Sequence, residues 1–128
     1  MLSTELIKSI LNQVLCKPDA TFVIVGMNKH SIDGMRWQIL GALSPRSEAI
    51  ADLTSDKIRL KNGGTIHFAS SNLGNLRAMQ IDNFYLEPNW PNSHCELLAL
   101  MYLQASLKRC GLTASLLRYN NRGVKEDA

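Results

Sequence analysis

Thr21-Phe22-Val23-Ile24-Val25 is a short, unbroken apolar run rich in β-branched side chains. A run with no polar position has no face to offer to water, so it must be covered on both sides. That is the pattern of a central strand in a parallel sheet. Ile81 to Leu86 reads as a second apolar strand, and Thr113 to Leu117 as a last one.

Helical spacing fills the ground between them. Ser3-Thr4-Glu5 places an N-cap residue ahead of an acid in a first turn, Leu6, Ile7, Ile10, Leu11, Val14 and Leu15 follow, and Lys17-Pro18-Asp19 stops the pattern. A second helix is predicted from Ser31 to Leu43, carrying Ile32, Met35, Trp37, Ile39, Leu40 and Leu43 and ended by Pro45. Glu48 to Leu53 reads as a short helical turn. A third helix is predicted to start at Ser93, with Glu96 as its capping-box partner, and to run to about Arg109 before Gly111. Asn62-Gly63-Gly64, between Ile58–Lys61 and Thr65–Ala69, signals a hairpin, because Asn and Gly accept the positive φ of tight turns. The expected fold is an α/β three-layer sandwich with a mostly parallel sheet and an embedded β-hairpin.

A chain of 128 residues with 45% apolar content fills one core, so residues 1–128 read as a single domain, with 119–128 as a polar, fraying tail. No run approaches the roughly 20 apolar residues of a membrane span, and the first residues lack a secretory pattern; a soluble, cytoplasmic protein is expected. The three cysteines, Cys16, Cys95 and Cys110, have unrelated spacings that suit neither a disulfide framework nor a zinc site, and Cys16 and Cys110 are expected to pack in the core. The net charge of +3 is mild. Lys57, Arg59, Lys61 and Arg77 gather in the middle of the chain, and Arg118 and Arg122 toward its end. Such groups suit a phosphate backbone, and they are equally what a solvated face looks like.

From Ser3 to Asn121 the order of elements resembles the ATPase domain of the terminase large subunit, the DNA-packaging motor of tailed phages. Ser3-Thr4, the helix to Leu15 and the strand Phe22 to Val25 are similar to the segment that follows the family's phosphate-binding loop. Arg59 to Phe68 is similar to its hairpin, and Leu76-Arg77-Ala78 to the arginine element before the Walker B strand, with Ala78 in place of a glycine. Phe84-Tyr85-Leu86-Glu87 looks like that strand, and Thr113 to Leu117 like the coupling strand. The resemblance implies a partial RecA-like P-loop NTPase core of phage origin, in which Glu87, with Ser3 and Thr4, would be the nucleotide and metal remnant.

The departures shape the expected chemistry. No glycine precedes Ser3, Lys29 lacks the glycine spacing of a phosphate loop, and Pro88 stands where the second Walker B acid is expected. The expectation is a non-catalytic binding or regulatory module with no catalytic residue, metal or cofactor. It would contact a protein partner or DNA through Arg59, Lys61, Arg118 and Arg122, or pair through an exposed Thr113–Leu117 edge with another copy, its own tail or a partner. The alternative is a nucleotide hydrolase completed in trans, using ATP and magnesium, with the phosphate loop supplied by another chain. A third reading, an unrelated enzyme built on His30, His67 or His94, finds no Ser/His/Asp or Cys/His order to support it.

Overall fold

The computed structural model describes residues 2–70 and 80–107, with the backbone alone at Ser106. Helix α1, Thr4–Cys16, starts where the sequence places it: the Ser3 hydroxyl accepts the Leu6 N–H and satisfies one of the first-turn donors that have no helical partner. Leu6, Ile10 and Val14, one every four residues, form its buried stripe. Asp19, at φ 61, turns the chain back into β1, Thr21–Val25. Helix α2, Lys29–Leu43, begins two residues before the predicted start because Asn28 caps it, its side chain accepting the Ser31 N–H. Its buried residues are Ile32, Met35, Ile39 and Leu43. Trp37 falls off that stripe and is 69% exposed.

A 3-10 helix, Ser44–Ala49, leads into β2, Ile50–Leu53, where the sequence reading has a helical turn. Glu48 and Ala49 of that turn close the 3-10 helix, but from Ile50 onward pairing with β3, Lys57–Leu60, offers the backbone a ladder instead. The hairpin is as predicted, β3 running antiparallel to β4, Thr65–Ala69. Strand β5, Asn83–Leu86, completes a five-stranded sheet in the order β2-β3-β4-β1-β5. Only β4, β1 and β5 are mutually parallel. The sheet is therefore mixed rather than mostly parallel, because the tight turn reverses the chain and β2 adds a second antiparallel pairing. The described strands do not make a RecA-like core. Helix α3, Ser93–Ser106, is capped by Asn92 rather than Ser93, since the Asn92 carboxamide oxygen accepts both the His94 and Cys95 N–H groups.

Alternation along the strands sends apolar side chains to both faces. Phe22, Ile24, Ile58, Leu60, Ile66, Phe68 and Tyr85 pack with α1 and α2 on one face. Val23, Val25, Phe84 and Leu86 pack with Ala99 and Leu103 of α3 on the other. The unbroken run in β1 is thus covered on both sides, as its composition requires.

The hairpin turn does more than reverse the chain. Gly63 sits at φ 91, a conformation that side-chain-bearing residues rarely adopt, so the backbone favours glycine there, and a Cβ would also displace the Asp19 carboxylate. Asn62 donates to the Val14 and Leu15 carbonyls, which lie in the last turn of α1 and have no helical donor, while its oxygen accepts the Gly64 N–H. The β3–β4 turn thereby caps α1. At the start of the parallel strands Asp82 plays a similar part, accepting the Thr21 N–H and pairing with Lys17 at 2.7 Å.

Candidate functional site

The chain leaves the carboxyl ends of β1 and β5 in opposite directions, β1 into α2 on one face and β5 into α3 on the other. The crevice between two such strands is where open α/β sheets commonly bind ligands. Here a carboxylate occupies it. Glu87 follows β5 and is buried; its Oε1 accepts the Met27 N–H at 2.9 Å, and its own N–H donates to the Val25 carbonyl. Glu87 ties the loop after β1 to the end of β5. Beyond it Asn89 holds a positive φ of 65, and the Trp90 indole N–H is buried without a partner among the described residues.

Of the other two positions of the expected nucleotide remnant, one makes a structural hydrogen bond and one is exposed. The Ser3 hydroxyl caps α1, and Thr4 is the exposed first residue of that helix. Ser3 Oγ and Glu87 Oε1 each accept a main-chain N–H.

Arg59 lies elsewhere, on the strand face opposite α1 and α2. The register sets Arg59 beside Thr65 on β4 and Asp52 on β2, and sets Lys57 beside His67. On the same face His67 neighbours Val23 of β1, where the surface turns apolar and α3 begins. Arg59 is exposed and Lys57 half-buried; no described helix packs over either. Lys61 follows in the turn, also exposed. Partial burial pushes the His67 imidazole below its ordinary value of 6.5, and Lys57 pushes the same way, against a smaller opposing effect of Asp56. His67 is neutral near pH 7 and gains its charge only in more acidic solution.

Arg77, Arg118, Arg122, Cys110 and the Thr113–Leu117 edge lie outside the described residues. His30 and His94 are exposed in the first turns of α2 and α3, and no group of three or more His, Cys, Asp or Glu side chains comes together among the described residues. Cys16 is exposed rather than packed in the core, its thiol donating to Asn12 one turn back. The sequence reading named Lys57, Arg59 and Lys61 as a basic group and His67 separately but did not bring them together, although the Asn-Gly turn fixes the register and alternation then places Lys57, Arg59, Thr65 and His67 on one face. No helix among the described residues is long and apolar enough to cross a membrane. No family model matches the chain, and no curated protein matches it.

Proposed function

We propose that the chain is a non-catalytic binding module of packaging-ATPase-like sequence, which contacts DNA through the β2–β4 side of the sheet. The observation that carries this reading is the row of Lys57, Arg59 and His67 on one strand face, with Lys61 at its border. Asp52 and Asp56 lie beside these groups, so the surface holds few phosphates and binds weakly by itself. Its role is to position DNA rather than to read its sequence. The non-catalytic part rests on the engagement of Glu87 and Ser3 with main-chain N–H groups, together with Pro88 immediately after Glu87. A carboxylate that latches two strand ends together is poorly placed to hold a metal-bound phosphate.

Fluorescence anisotropy with a labelled duplex, repeated over a range of salt concentrations, tests this reading. Two or three phosphate contacts give a slope of log affinity against log salt of about −2 to −3. The Lys57→Glu/Arg59→Glu variant should lose most of the affinity and flatten the slope. Equal binding by parent and variant would sink the assignment of this face. Turnover of magnesium-ATP that disappears in Glu87→Gln would sink the non-catalytic reading.

A further inference from the structure

Asn62-Gly63 is the one Asn-Gly pair in the chain. Such a pair is chemically reactive because glycine, having no Cβ, lets its own backbone nitrogen reach the side-chain carbonyl of the residue before it. In the folded chain both nitrogens of that reaction are already engaged. The attacking nitrogen is that of Gly63, whose N–H donates to the Leu60 carbonyl at 3.0 Å. The leaving nitrogen is Asn62 Nδ2, which donates to the Val14 carbonyl at 2.9 Å and to the Leu15 carbonyl at 3.3 Å. Asn62 Oδ1 accepts the Gly64 N–H, a bond that polarises the carbonyl and by itself favours attack. Protection therefore rests on the Leu60 and α1 contacts. Gly63 is exposed, so solvent already reaches the turn.

We infer that Asn62 is a site of deamidation gated by the contact between the β3–β4 turn and α1. When the turn lifts from α1, base removes the Gly63 amide proton, the freed nitrogen attacks Asn62 Cγ, and the Cγ–Nδ2 bond breaks as Nδ2 leaves with a proton as ammonia. The cyclic imide then takes up one water. Opening at Cγ gives aspartate and opening at the main-chain carbonyl gives isoaspartate; nothing is oxidised or reduced. Neither product keeps the side-chain NH2 group, so neither can donate to Val14 and Leu15. The new carboxylate instead meets those carbonyls at the negative end of α1, with the Asp19 carboxylate close to Gly63 beside it. Closure of the turn is thereby weakened once the reaction has occurred, which makes Asn62 a one-way record of opening. This does not depend on what the face bearing Lys57 and Arg59 binds.

The test holds the purified chain in mildly alkaline buffer, with and without denaturing guanidinium chloride, beside a synthetic peptide of residues 57–67. Conversion at Asn62 is followed by peptide mapping, with fragmentation that separates isoaspartate from aspartate. The peptide lacks α1 and is too short to hold a stable hairpin, so it should react at the same rate in both solutions. In denaturant the chain should match it. Without denaturant the chain should lag by about tenfold or more, because opening the turn leaves the Val14 and Leu15 carbonyls without their donor. The converted chain, separated by ion exchange, should unfold at lower denaturant than the parent and exchange the amide protons of the last turn of α1 faster. A folded chain that converts as fast as the peptide, an unfolded chain that does not convert, or a converted chain as stable as the parent overturns the inference.

Discussion

Between the sheet and helices α1 and α2 lie sixteen buried apolar residues, whereas α3 shelters a cluster of seven among the described residues. The larger side is also pinned by polar contacts. Asn62 reaches the end of α1, Gln38 of α2 exchanges two hydrogen bonds with the Leu2 main chain, Asn83 of β5 bonds Gln13, and Arg36 bonds the Thr54 carbonyl. On the other side α3 touches the sheet through Ala99 and Leu103, and its outward surface carries Leu97, Leu98, Met101 and Tyr102. Helix α1 turns Glu5, Lys8 and Asn12 to solvent instead. One side is a sheet closed by amphipathic helices. The other passes from an apolar half under α3 to a polar half bearing Lys57, Arg59 and His67, and the proposed DNA contact lies on that second half.

If the two sides differ in extent but not in packing quality, truncating a central side chain should cost the same on either. Phe22 on the larger side and Phe84 under α3 are both fully buried. Each Phe→Ala substitution should cost about 3–5 kcal/mol, measured by urea unfolding with the slope unchanged. A Phe84→Ala cost below about 1 kcal/mol would mean that the α3 side yields to fill a void, which close-packed interiors do only in part. The comparison would then be between a rigid side and a soft one.

A smaller effect tests the polar pinning. Asn62→Ala removes both donors to α1 and the acceptor of the Gly64 N–H. Leaving such groups without partners costs about 1–3 kcal/mol. Asn62→Asp separates the two roles, because it keeps the acceptor and loses the donors. If Asp restores full stability, capping of α1 contributes nothing and the turn alone matters.

How far each side could be read from sequence follows the same division. The larger side was legible because its signals are local: Ser3 as a cap, the Leu6–Ile10–Val14 spacing and the Asn62-Gly63 turn each act within a few residues. Strand β2 was not legible, because Ile50–Leu53 acquires its conformation only by pairing with β3. The parallel character of the sheet was overestimated for a related reason, since apolar runs report burial and not the direction of a neighbour. Glu87 shows the limit for sites. Its position after an apolar strand is visible in the sequence, but its bond to Met27, 60 residues away, depends on the β1–β5 register. Trp37 likewise fits the composition of a buried helix and lies off its stripe by rotation alone.

The smallest expected effect concerns the border between the two halves of the open side, where His67 sits beside Val23. Its folded-state value lies below the ordinary 6.5, with burial the main cause and Lys57 the second. Above 6.5 His67 is neutral in both folded and unfolded chains and contributes no pH dependence. As pH falls below that point the unfolded chain takes up a proton that the folded chain still refuses, so stability declines, and the decline ends once pH has passed the lower folded value. Chemical denaturation of the parent between about pH 7 and about pH 5 should therefore show a loss that His67→Gln lacks. DNA affinity should move oppositely, rising at the lower pH where folded His67 gains charge beside Lys57 and Arg59, and this rise should also vanish in His67→Gln. Loss of the stability effect with retention of the affinity effect would assign the acid-strengthened binding to another titrating group and remove His67 from the proposed contact.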